Sequence, residues 1–62
     1  MKRRELVAHL EKHGCVLFRE GAKHSFFHVP KGNRSSTVPR HTEIKDFLVR
    51  KICRDLDIPA PR

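Results

Sequence analysis

His24 opens a strand-like run, His24-Ser25-Phe26-Phe27-His28-Val29, directly after a turn signal at Glu20-Gly21-Ala22-Lys23. An imidazole titrates near neutrality, so it can take a proton from a hydroxyl and return one to a leaving oxygen. Gly21 supplies the backbone freedom that a tight turn needs. Alternate side chains of an extended run share a face. His24, Phe26 and His28 therefore point one way, and Ser25, Phe27 and Val29 the other. Lys23 and Arg19 stand close to His24 in sequence and bring positive charge toward it. These residue types suit proton transfer on a phosphodiester. His28 lies about 6–7 Å along the same face by strand rise, where it serves either as an assisting group or as a plain surface histidine.

Other chemistries lack their residues. No pair of carboxylates is spaced for metal catalysis, and no glycine-rich nucleotide loop or Ser/His/Asp pattern is present. Cys15 and Cys53 form no CxxC pair and have no Cys/His ligand spacing, so no structural zinc is expected. Both read as buried free thiols of a reducing cytosol. No metal or other cofactor is expected. Met1 is followed by Lys2, Arg3, Arg4 and Glu5 with no apolar run behind them, so neither a signal peptide nor a membrane span is expected. The expected location is the cytoplasm.

The 62 residues suffice for one small domain, spanning 1–62. A chain this short buries only about 60% of its unfolded surface. With neither tryptophan nor tyrosine, its core has to come from four phenylalanines and the aliphatics. The net charge is +7 and the pI about 10.3, an electrostatic footprint suited to a polyanion or an acidic protein.

The elements that position His24 follow from pattern. Lys2 to His13 reads as a helix with a narrow apolar stripe of Leu6, Val7 and Leu10, ended by Gly14 in a left-handed turn. Lys2, Arg3 and Arg4 crowd the helix start, where the dipole disfavours cations. They are either a frayed, solvated terminus or charges kept for phosphate. Cys15–Arg19 reads as a strand, His24–Val29 as a second, and Arg34–Val38 as a weaker third after the turn Pro30-Lys31-Gly32-Asn33. Tight turns make these an antiparallel meander.

A last helix is expected from Glu43 to Leu56, with Thr42 as N-cap and Ile44, Phe47, Leu48, Ile52 and Leu56 on its apolar face. Pro59 and Pro61 end it. His41 reads as a structural residue of the loop before this helix, and His9 and His13 as surface positions on the first. The order predicts an α+β domain, α-β-β-β-α in two layers, with both helices on one face of a three-stranded antiparallel sheet. The open face then carries His24, Phe26 and His28, a platform for base stacking or partner docking, unless a bulge turns Phe26 inward.

The element order, the size, the Gly21-to-His24 turn and the segment Thr37-Val38-Pro39-Arg40-His41 ahead of Glu43-Ile44-Lys45 together resemble the HicA toxins. The resemblance covers nearly the whole chain. It implies a double-stranded-RNA-binding-like fold, metal-independent cleavage of mRNA by a single histidine, and neutralisation by a HicB-type antitoxin protein that covers the active site. His24 takes the place of the catalytic histidine and Gly21 that of the turn glycine. Two departures stand out. Ala22 occupies a position where many members carry serine. Asp57 precedes Ile58 where members often have a glycine.

On its own, a histidine at a strand start is more often a surface or capping residue; the resemblance is what assigns it catalysis. Three functions compete. The first is a ribonuclease toxin. The second is a non-catalytic RNA-binding domain gripping phosphates through Lys2, Arg3, Arg4, Lys23 and Arg40, with Arg19 adding charge near His24. The third is a basic protein-docking domain. Only Arg40 and Lys45 stand at the start of the last helix, with Glu43 between them, which argues against pure duplex binding.

Overall fold

The computed structural model describes residues 1–61 and orders them as α1 (Arg3–Lys12), β1 (Val16–Glu20), β2 (His24–Val29), β3 (Arg34–Pro39) and α2 (Asp46–Asp55). The strands form one antiparallel sheet in the order β1-β2-β3. This is the expected α+β arrangement. Leu6 and Leu10 of α1 and Val49, Ile52 and Cys53 of α2 meet Phe27 and Val38 of the sheet in a single core, with Cys15, Ile44 and Leu56 closing it. Both helices thus cover the Ser25/Phe27 face. The molecule is 28 × 28 × 16 Å across its Cα atoms, and the short axis accommodates one sheet and one helical layer. The other face of the sheet stays uncovered.

Both helices stop by the same device. After α1, Gly14 takes a left-handed φ of 84°; its N–H bonds the Glu11 carbonyl at 3.1 Å, and Cys15 N–H bonds that of Leu10 at 2.9 Å. After α2, Asp57 takes φ 57°; its N–H bonds the Arg54 carbonyl at 3.1 Å, and Ile58 N–H bonds that of Cys53 at 3.0 Å. These paired bonds satisfy carbonyls that a helix end leaves open. The missing glycine at Asp57 therefore does not abolish the stop. It loads a left-handed backbone onto a residue with a side chain.

The start of α2 differs from the sequence expectation. The helix begins at Asp46 rather than Glu43, and its N-cap is Lys45 rather than Thr42. The reason lies in the partners of the preceding backbone. Arg3 N–H bonds the Thr42 carbonyl at 2.8 Å, Ile44 N–H bonds the Met1 carbonyl at 2.8 Å, and Lys2 pairs with Glu43 as an isolated antiparallel bridge. Held extended against the start of the chain, residues 42–44 cannot join a helix. The Met1 ammonium also contacts Glu43 Oε2 at 2.6 Å.

The buried side of α2 is formed by Val49, Ile52 and Cys53, and Phe47, on another side of the helix, is 65% exposed. Phe47 is thus not a core residue. Of the four phenylalanines only Phe27 is fully buried, so aliphatics and the two cysteines carry most of the core. Cys15 and Cys53 are free and buried, as expected, and burial pushes both thiols upward in pKa. At the start of α1, Lys2 N–H bonds the Glu5 carboxylate at 3.3 Å, so an acid in the first turn offsets the cations there.

Two outcomes follow. Asp57→Gly relieves the left-handed strain and raises unfolding stability by about 0.5–1 kcal/mol, read as a higher urea midpoint with unchanged slope. Asp55 accepts hydrogen bonds from Lys51 at 3.0 Å and from Ser36 at 3.2 Å, the second tying α2 to β3. The Lys51 bond chiefly, then Ser36, hold its carboxyl below the usual carboxylate range. A carboxyl lowered in the folded state stabilises above its unfolded pKa and loses that contribution as pH falls through the folded one. Asp55→Asn therefore flattens the acid limb of the stability–pH curve, measured by urea denaturation between neutral pH and about pH 3.

Candidate active site

The position of His24 rests on a break in strand register. Val16 pairs with His28 and Leu17 with Phe27, but then Arg19, not Phe18, pairs with Phe26, and Glu20 with Ser25. Phe18 is the extra residue of a β-bulge, which shifts every later side chain of β1 to the opposite face. Simple alternation would send Arg19 under the sheet and Glu20 over it. The bulge does the reverse, so a carboxylate enters the covered side beside Ser25.

There it meets Ser25, a polar side chain with 0% exposure. Arg3 Nη2 donates to Ser25 Oγ at 2.6 Å, and Ser25 Oγ donates to Glu20 Oε1. Arg3 Nε also donates to the Pro39 carbonyl at 3.1 Å, and Arg40 Nη1 lies 3.4 Å from Glu20 Oε2. One chain of polar contacts thus joins α1, β1, β2, β3 and the segment after β3. It flanks the turn that carries His24. Charge-assisted hydrogen bonds of this kind are the stronger sort, and a buried hydroxyl without partners would be costly.

The turn itself is pinned from both sides. Gly21 N–H bonds the His24 carbonyl at 2.8 Å, and Arg40 N–H bonds the Lys23 carbonyl at 3.2 Å. Gly21 matters here for space. A Cβ on it would stand 3.2 Å from the His24 carbonyl oxygen and 3.4 Å from Phe26 Cε2. It has no left-handed φ, so close approach, rather than an unusual backbone angle, is the reason for glycine. Ala22, where many HicA toxins carry serine, is exposed in this turn.

His24 emerges exposed at the start of β2, on the uncovered face and opposite Pro39 of β3. No hydrogen bond among the described residues engages its ring. Phe26 and His28 share its face. The His28 ring meets the Phe18 ring edge-on at 5.7 Å, with Phe26 between His28 and His24 along the strand.

The expected cations divide. Lys23 is exposed next to His24. Arg19 lies over the Phe26 ring, 5.5 Å from its centroid. Arg40 borders the turn through Lys23 and faces Glu20. Arg3 turns inward to Ser25, which gives it a positioning contact. Lys2 and Arg4 remain exposed and line, with Arg3 and Thr42, an open groove of about 350 Å³ at the start of α1.

His41 is exposed and makes no hydrogen bond through its ring among the described residues, so it does not hold the loop as expected. His9 and His13 are half-buried rather than plain surface residues. His9 Nε2 lies 2.6 Å from the Pro59 carbonyl, tying α1 to the tail, and His13 Nδ1 lies 3.0 Å from the His9 carbonyl at the end of the same helix. Among the described residues no group of three or more His, Cys, Asp or Glu is placed to hold a metal ion, and no helix is long and apolar enough to cross a membrane.

Sequence pattern did not single out Ser25, Glu20 or the bulge at Phe18. The one available signal was a serine at an otherwise apolar inward position, which demands a polar partner.

The molecule is a basic two-layer αβββα domain with an exposed imidazole at the rim of an open sheet. Residues 3–58 match the family model of the HicA toxin of bacterial toxin–antitoxin systems. The chain belongs to the HicA toxin family, and its role is that of the toxin in such a pair. No curated protein and no solved structure gives a significant match.

Ser25→Ala removes the hydroxyl that links Arg3 to Glu20, and is expected to cost about 1–3 kcal/mol of stability. A lowered urea midpoint with retained secondary structure by circular dichroism is the measurement; an unchanged midpoint would mean the linkage contributes nothing.

Proposed function

We propose that this toxin is a metal-independent endoribonuclease that cleaves mRNA in the cytoplasm with His24 as its catalytic residue. The observation that carries the reading is the exposed His24 ring on the uncovered face of a HicA-family domain, its turn braced from below by Arg3, Ser25 and Glu20. His24 takes the proton of a ribose 2′-hydroxyl. The 2′-oxygen forms a bond to the adjacent phosphorus, and the bond from phosphorus to the 5′-oxygen breaks. The leaving 5′-oxygen takes up a proton from the imidazolium or from water. The products are a 2′,3′-cyclic phosphate and a 5′-hydroxyl. Lys23 and Arg40 supply positive charge beside the reacting phosphate, and Arg19 adds to it from β1.

A single general base contributes about 10²–10⁴ in rate, which makes this a slow nuclease unless positioning adds more. Slow turnover is compatible with a toxin, because each cut of a message is irreversible. The antitoxin in this reading is a HicB-type protein that covers His24 and thereby shuts the reaction.

His24→Ala is expected to lower RNA cleavage by about 10²–10⁴-fold while RNA binding persists. A 2′-deoxy nucleotide at the cut site should block cleavage by the wild-type protein, and EDTA should leave it unaffected. Cleavage by His24→Ala at the wild-type rate would leave only a basic RNA-binding domain, and inhibition by EDTA would defeat the metal-independent step.

A further inference from the structure

The uncovered face holds more than His24. Cross-strand pairing places Val16, Arg19, His24, Phe26, His28, Ser35, Thr37 and Pro39 on it, and the bulged Phe18 joins them through its ring contacts with Phe26 and His28. Phe18 is 56% exposed and Val16 47%. The Phe18 and Phe26 rings lie 6.2 Å apart, and the Arg19 guanidinium lies over Phe26. None of these strand positions carries a carboxylate, because the bulge has sent Glu20 to the other side. The protein therefore spends three aromatic rings, a guanidinium and two hydroxyls on a surface that its own core does not use.

We infer that this face is a stacking platform for the unpaired nucleobases of single-stranded RNA, with Phe18 as its principal exposed ring. The inference rests on the ribonuclease reading of His24 and specifies how the substrate is held. Exposed aromatic rings on an open sheet, backed by arginine, stack bases without regard to sequence, and each stacked base is a sizeable share of the affinity. His24 to His28 spans about 13–14 Å along β2, room for two or three bases laid beside the reacting phosphate. Seryl and threonyl hydroxyls at Ser35 and Thr37 can bond base edges. A duplex keeps its base faces stacked on one another and its Watson–Crick edges paired, so paired RNA is excluded from the platform. The substrate of His24 has to cross this face to reach the imidazole, and a cation laid over an exposed ring suits a base next to its phosphate, which favours RNA as the occupant.

The test uses two uncleavable single-stranded probes of equal length and charge, one a 2′-O-methyl oligonucleotide and one an abasic phosphodiester backbone. The full chain should bind the base-bearing probe about 5- to 100-fold more tightly. Phe18→Ala should remove at least about 5-fold of that preference and leave the abasic probe within about 2-fold, while Phe18→Tyr retains it. Phe26→Leu, which keeps an apolar side chain against Gly21, should weaken the same preference. Equal affinity of the wild type for both probes would overturn the platform, as would Phe18→Ala binding like wild type. If Phe18→Ala instead alters only self-association or the capture of purified antitoxin, the face is a protein interface and the proposal fails. Because neither probe can be cut, these outcomes are independent of whether His24 is catalytic.

Discussion

The turn that presents His24 hangs on one buried hydroxyl. Ser25 sits with no solvent exposure on the covered side of β2, next in sequence to the exposed His24. A hydroxyl in that position needs partners, and Arg3 from α1 and Glu20 from β1 provide them. Each partner is held in turn, Arg3 by the Pro39 carbonyl and Glu20 by Arg40. The result couples four elements around a turn of three residues. A site built this way holds its imidazole by the backbone beneath it and leaves the ring itself unencumbered.

The β-bulge at Phe18 makes that arrangement possible and shapes the opposite surface in the same stroke. Inserting one residue turns Glu20 under the sheet and Arg19 over it. Under the sheet, the carboxylate accepts from Ser25 and pairs with Arg40. Over the sheet, the loss of the carboxylate leaves a face of rings and a cation continuous with His24. One local irregularity thus gives the buried Ser25 hydroxyl its carboxylate partner on one side of the sheet and leaves rings and a guanidinium on the other.

Several positions in this chain are filled by a residue other than the easiest one, and the fold absorbs each. Asp57 adopts the left-handed conformation that glycine would accept without strain, and the paired bonds to Arg54 and Cys53 hold it there. The cations at the start of α1 oppose the helix dipole. Glu5 offsets them locally, and Arg3 leaves the helix surface to serve Ser25. A chain with a net charge of +7 carries that charge at some cost to its own stability, and these contacts contain that cost.

The sequence by itself determined the element order, the alternation of β2 and the helix-ending role of Gly14, because these depend on near neighbours: strand period, turn residues and apolar spacing. It also singled out His24, once the turn and the segment from Thr37 to Lys45 were seen to resemble HicA toxins, and the family match over residues 3–58 agrees with that membership. Tertiary structure decided the rest. Whether Glu43 begins a helix depends on Met1, Lys2 and Arg3 at the far end of the chain, which take residues 42–44 as an extended partner. Whether Phe47 is buried depends on which side of α2 docks on the sheet. Which way Arg19 and Glu20 face depends on a bulge set by pairing with β2, and the use of Arg3 depends on a serine more than twenty positions away. Contacts between residues distant along the chain leave no periodic trace in it, so their outcome is visible only when the layers are assembled.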